Sequence, residues 1–173
     1  VTFIHTEVMP ETRLFWLGPP VPTRIERSGE DFSIRARADL IPDISGTWSL
    51  RLSSAGRSRL LLDCELVIDN MAPEPGSSFF GRGSTEVPGE VELVAGRTYE
   101  LVAELHGTVR SDTSVNGLGV TAQPPEDPGA LDRAVATAAG SDVAVVVVGG
   151  AVADSEGSDR PDMDLPADQV ALV

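Results

Sequence analysis

Residues 33–70 read SIRARADLIPDISGTWSLRLSSAGRSRLLLDCELVIDN, and they alternate. From Ser33 to Leu40, Ile34, Ala36, Ala38 and Leu40 fall on one side, and Arg35, Arg37 and Asp39 on the other. Thr47 to Leu52 repeats the pattern, with Trp48, Leu50 and Leu52 together. A period of two with one apolar side describes a strand that has one face in a core and the other in water. Arg59–Asp63 and Glu65–Asp69 are two further runs flanking Cys64. Farther out, Val91–Val94 is a short run, and Thr98–Leu105 sets Tyr99, Leu101, Ala103 and Leu105 on one side. Turn residues separate the runs at Ser45-Gly46, Ala55-Gly56, Pro73–Gly76 and Ala95-Gly96. Short alternating runs at this spacing predict a mainly β chain, an antiparallel β-sandwich or barrel over residues 1–123. No helical period of useful length appears within it.

The pattern changes after the Pro-rich, acidic QPPED at 123–127. A helix is predicted over 128–139. Asp127 can cap it, Pro128 suits its first turn, and Leu131, Ala134, Val135, Ala138 and Ala139 make one apolar stripe. Gly140 ends it. Val143–Val148 is six apolar residues in a row before Gly149-Gly150, the mark of a strand buried on both faces. Helix then strand is half of a crossover unit, so residues 124–173 are expected to form a short, incomplete α/β segment. The loop at 149–165 carries Asp154, Glu156, Asp159, Asp162 and Asp164 with one cation, Arg160. Ligands of open α/β sheets bind beyond the carboxyl ends of the strands, where this loop lies. Crowded carboxylates repel, so one of them can keep its proton near neutral pH, as a general acid must. Taken alone, the same residues also describe a solvated acidic loop.

Composition bounds the function. Hydrophobic residues make up 41% of the 173, enough for a core, and the net charge of −14 argues against nucleic acid or an anionic membrane surface as partner. No apolar run approaches a membrane span of about 20 residues, and no signal-peptide pattern opens the chain. A single cysteine, Cys64, excludes an intrachain disulfide framework and leans toward a reducing, cytoplasmic compartment. With His5 and His106 as the two histidines, no zinc-type cluster and no cofactor motif suggests itself. The apolar VTFI at the start and the unfinished helix after Pro166 lead us to expect a piece of a longer polypeptide.

Two resemblances sharpen this. The segment Asp154-Ser155-Glu156-Gly157-Ser158-Asp159-Arg160, between an apolar run ending in Gly and Leu165-Pro166, resembles glycoside hydrolase family 3, the β-glucosidases. That family reads Glu-Ser/Thr-Glu-Gly-x-Asp-Arg here. Asp154 replaces its first Glu and Ser158 its usual aromatic, while the Glu-Gly and Asp-Arg pairs are intact. The resemblance implies a retaining, exo-acting β-glycosidase with Glu156 as acid/base. Asp154, Asp159 and Arg160 support the loop. The family's nucleophile is an aspartate on a preceding barrel domain, so this chain alone is expected to be inert, with a β-glucoside and the rest of the parent polypeptide as its partners. Residues 45–105 resemble the protective-antigen-type (PA-fourteen) β-domain, through ISGTWSLRLSSAGRSRLLLDCELVIDN and VELVAGRTYELVAEL. Cys64 stands where that family usually has Gly. The paired aspartates of its calcium-dependent adhesins are missing, which argues against a calcium lectin.

Between these hairpins lies Met71–Pro88, MAPEPGSSFFGRGSTEVP, with adjacent aromatics in a Gly/Ser/Pro loop. Phe79 and Phe80 can plug the domain's own open end. The resemblance instead implies a loop at the active-site rim that narrows the aglycone subsite, with Phe79, Phe80 and Arg82 as its candidate substrate-binding residues and no choice among them as to which touches substrate. A non-catalytic carbohydrate-binding module is the alternative reading of the whole.

Overall fold

The structure is a computed structural model, and it describes residues 5–18, 31–108, 114–149, 164–165 and 167–172. Glu156, Asp154, Asp159 and Arg160 lie outside the described residues. The chain divides into two compact units, Val1–Pro124 and Pro125–Val173.

The first unit is a sandwich of two antiparallel sheets. Its strands are β1 (Arg13–Leu17), β2 (Asp31–Leu40), β3 (Gly46–Ala55), β4 (Arg57–Leu62), β5 (Glu65–Asn70), β6 (Val87–Leu93), β7 (Tyr99–Thr108) and β8 (Val115–Gln123). One sheet has the order β1-β8-β3-β6 and the other β2-β7-β4-β5. The alternation becomes the core: Leu50, Leu52 and Leu118 from the first sheet meet Phe32, Leu60, Ile68, Ala103 and Leu105 from the second. Burial of these side chains at about 25 cal/mol per Å² is the main force joining the sheets. Trp48, Leu62, Leu93 and Tyr99 form a second cluster, where the Trp48 indole N–H donates to the Ile44 carbonyl at 3.1 Å.

The connections follow from local chemistry. Gly56, at φ +141, takes the chain from the first sheet to the second, and a Cβ there would lie 2.8 Å from the His106 carbonyl oxygen. Asp63 and Cys64, at φ 47 and 69, turn β4 into β5 as a two-residue hairpin. On the solvent face of the second sheet, Glu104 stands between Arg35 and Arg59 and accepts from their Nε groups at 2.8 and 2.6 Å. Burial alone would raise the Glu104 pKa. The hydrogen bonds from Arg59 and then Arg35 outweigh it and hold the carboxyl below its ordinary value.

In the second unit a helix spans Ala130–Ala139. Its N-cap is Gly129, not Asp127, so it begins two residues later than expected. Asp127 still ties the helix start, accepting from the Gly129 N–H at 2.9 Å and pairing with Arg133. The expected strand over 143–148 is absent from the described residues, a correction to the sequence reading. Strands exist by hydrogen bonding to a neighbour. Among the described residues none runs beside this stretch, and Val145 and Val147 are 85% and 89% exposed. Gly149, just after it, is clasped by Gln169 of the helix Ala167–Leu172. The Gly149 N–H donates to Gln169 Oε1 at 2.8 Å, and Gln169 Nε2 donates to the Gly149 carbonyl at 2.9 Å.

Candidate functional site

The aromatic pair of the 71–86 loop diverges. Phe79 is 1% exposed and Phe80 is 55% exposed, though they are neighbours in sequence. Of the two readings open for the pair, Phe79 takes the buried one, and Phe80 is the exposed ring.

The groove that takes Phe79 lies on the outer face of the first sheet. On β8, Gly117 and Gly119 point to that face, paired with Phe15 and Arg13 of β1 on one side and Ala55 and Ser53 of β3 on the other. A Cβ at Gly117 would sit 2.4 Å from the Phe79 ring, so the ring lies on bare backbone. Its walls are aromatic and cationic. Phe15 stacks parallel to Phe79, centroids 6.4 Å apart at 4°, and the Arg13 guanidinium lies 5.1 Å from the Phe79 centroid, within cation–π range. Phe80 meets Phe15 edge-on at 5.4 Å and 65°. Phe15 and Phe80 thus present two rings, roughly perpendicular, to solvent.

Reaching this arrangement requires strained backbone. Phe79, Phe80 and Gly81 have φ of 51, 60 and 71, one continuous left-handed turn. For a residue with a side chain this conformation costs about 1–2 kcal/mol. The loop supplies the restraint. Gly83 N–H donates to Ser78 O at 2.9 Å, Arg82 N–H to Phe79 O at 3.1 Å, and Gly76 N–H to Gly83 O at 2.9 Å. The Ser78 hydroxyl donates to the Ser84 carbonyl at 2.5 Å. Beneath them sits a buried polar cluster, in which the Asn70 amide reaches the hydroxyls of Ser54, Ser58 and Ser84 at 3.2, 3.2 and 3.3 Å. Ser84 also exchanges backbone contacts with Ser54, its N–H donating to the Ser54 carbonyl at 2.8 Å. Among the described residues no buried side-chain N or O lacks a partner, so the cluster is a satisfied anchor for the loop.

Arg82 closes the turn with an exposed side chain. Phe15 and Arg13 were not singled out in the sequence. Among the described residues no three His, Cys, Asp or Glu side chains come together as metal ligands would. The described geometry therefore offers an apolar, ring-edged surface with cations beside it, suited to stacking against a flat apolar face.

The PA14 domain family matches residues 25–124, more than half of the chain. The chain belongs to the PA14 domain family. Around this PA14 domain the similarity extends further. The β-glucosidase of Rhizobium radiobacter is 33% identical over 178 residues, 98% of this chain and 21% of that protein. A probable β-glucosidase H of Emericella nidulans is 36% identical over 140 residues, 74% of this chain and 17% of that one. In the crystal structure of a β-glucosidase from Kluyveromyces marxianus in complex with glucose, a comparable segment superposes with a TM-score of 0.74 at 26% identity, covering 87% of this chain and 19% of that one. The PA14 chain thus spans about a fifth of the length of the relatives it matches.

Proposed function

We propose that the chain is the part of a retaining, exo-acting β-glucosidase of glycoside hydrolase family 3 that supplies the acid/base loop and an aglycone-contacting tip. One observation carries this reading. The similarity to the R. radiobacter β-glucosidase covers 98% of the chain, so it runs past the PA14 domain at 25–124 into the segment holding Glu156. A free-standing PA14 module would have no need of that second segment.

In this reading Glu156 is the acid/base residue. Its carboxylic acid protonates the departing glycosidic oxygen, and its carboxylate then takes a proton from the water that hydrolyses the glycosyl-enzyme. Gly157 leaves the backbone free to turn the loop, with Asp154, Asp159 and Arg160 supporting it. The nucleophile that retaining chemistry requires, about 5–5.5 Å from the acid/base carboxyl, comes from the rest of the polypeptide, which makes that polypeptide the chain's obligatory partner. Phe80 and Arg82 contact the leaving group of the glycoside. Phe79 serves by holding Phe80 in place. No cofactor enters the reaction.

The test is an assay of the full-length parent on aryl β-glucosides, with NMR identifying the anomer of glucose formed first. The reading predicts hydrolysis with β-glucose first, and none by the 173-residue chain alone. The exposed ring of Phe80 on Phe15 favours one second reading, a non-catalytic carbohydrate-binding module. A parent without hydrolysis whose PA14 chain binds glucosides with Kd of about 1 mM, roughly −4 kcal/mol, would put that module in its place.

A further inference from the structure

Nine arginines lie among the described residues, and six of them are ion-paired: Arg35 and Arg59 with Glu104, Arg37 with Glu100, Arg51 with Glu86, Arg97 with Asp63, and Arg133 with Asp127. Arg13, Arg57 and Arg82 make no ion pair among the described residues. Two of them belong to the segments that build the aromatic groove. Arg13 stands on β1 two residues from Phe15 and on the same face, and Arg82 follows the Phe79–Phe80–Gly81 turn, whereas Arg57 lies on the second sheet in a hollow lined also by Asp31 and His106. In a chain with 27 acidic residues and 13 cationic ones, two arginines without an ion pair on the segments that carry the exposed rings are a local exception to the field of the whole.

We infer that this ring-edged surface receives an aglycone in which a carboxylate is attached to a planar apolar ring, with Phe15 and Phe80 taking the ring and Arg82 and Arg13 the carboxylate. The inference rests on the β-glucosidase reading above and names the substrate class of that tip. The guanidinium fork matches a carboxylate in bidentate fashion, and such charge-assisted pairs are about twice as strong as neutral ones. Arg13 lies with its guanidinium 5.1 Å from the Phe79 centroid and makes no ion pair among the described residues, so its N–H groups are not committed to an acid there. A monoanion is the better fit than a phosphate. The chain carries −14 overall, and each further negative charge on the ligand adds to long-range repulsion.

The test uses the full-length parent with 4-carboxyphenyl β-D-glucoside and its methyl ester. The quantity read is the acid-to-ester ratio of kcat/KM, compared between wild type, Arg82→Gln and Arg13→Gln, so that the differing leaving groups cancel. Arg82 is the cleaner variant because its side chain is exposed and has no ion pair to lose among the described residues. The ratio should fall about five- to tenfold in Arg82→Gln, the size of one charge-assisted pair at a half-exposed site. Raising salt from about 0.02 to 0.5 M should shrink the wild-type ratio and leave that of the variant nearly flat. Ester hydrolysis with a ratio unchanged within twofold in both variants overturns the inference and leaves the β-glucosidase reading standing. Failure to hydrolyse either glucoside overturns both.

Discussion

Replacing Phe80 by glycine removes a contact and a strain at once, and the two are of similar size. The Phe80 ring is 55% exposed, so less than half of it is buried. Full burial of such a side chain is worth about 1.5–3 kcal/mol, which makes the lost part about 1 kcal/mol. Its edge-on contact with Phe15 adds roughly 0.5–1 kcal/mol. Against this, φ 60 and ψ 38 place Phe80 in left-handed backbone that costs a side-chain-bearing residue about 1–2 kcal/mol. Glycine releases that strain and alanine does not. Phe80→Ala should therefore destabilise the chain by about 1.5–2 kcal/mol, and Phe80→Gly by less than about 1. Glycine being the better of the two reverses the usual order, in which it is worse by roughly 0.5–1 kcal/mol. Urea unfolding followed by fluorescence of the buried Trp48 measures both midpoints, compared at unchanged slope. An alanine variant as stable as the glycine variant, or more so, would refute the left-handed turn and the claim that strain is held there to present Phe80.

Two other sites are open to similar tests. Cys64 occupies the second position of a hairpin whose two central residues both have positive φ, where glycine is preferred, so Cys64→Gly should stabilise the chain by about 1 kcal/mol and raise its Tm by a few degrees. An unchanged or lower Tm would contradict that. Glu104→Gln should cost about 1–2 kcal/mol at pH 7, since the arginines it leaves are half-exposed and regain water. Because the folded pKa of Glu104 is lowered, its stabilisation is fully present above the ordinary value of 4.5 and fades as pH falls through the lowered one. Wild type and variant should therefore converge in acid, and a gap that stayed constant from pH 7 to 3 would exclude the Arg35–Glu104–Arg59 row as its source.

The strands that could be read from the sequence are those with one wet face. β2 and the first half of β3 alternate because their outer residues meet solvent. β1 and β8 gave no such signal, and the 71–86 loop is the reason. Phe79 covers the outer face of β8, where Gly117 and Gly119 stand in place of polar residues, and Phe15 of β1 lines the same groove. RLFWL at 13–17 accordingly reads as apolar on both sides. The adjacent aromatics were visible, but their opposite fates depend on three successive left-handed residues, which only Gly81 announces in the sequence. The apolar run at 143–148 looked like a strand because residue type records burial, whereas a strand also needs a partner to bond with. The proposed acid/base motif was legible only through its resemblance, since five carboxylates and an arginine in a loop specify no geometry by themselves.

The proposed role of Glu156 as acid/base is tested by one variant of the full-length parent. Glu156→Ala, assayed on an aryl β-glucoside with a good leaving group, should still form the glycosyl-enzyme but stall in hydrolysing it, since departure of such a group needs no proton while the attacking water needs a base. Azide, an anionic nucleophile that needs no base, should then restore turnover and yield a β-glucosyl azide. Wild-type rates on both aryl and disaccharide substrates, with no effect of azide, would show Glu156 to be an ordinary loop carboxylate and contradict its proposed role.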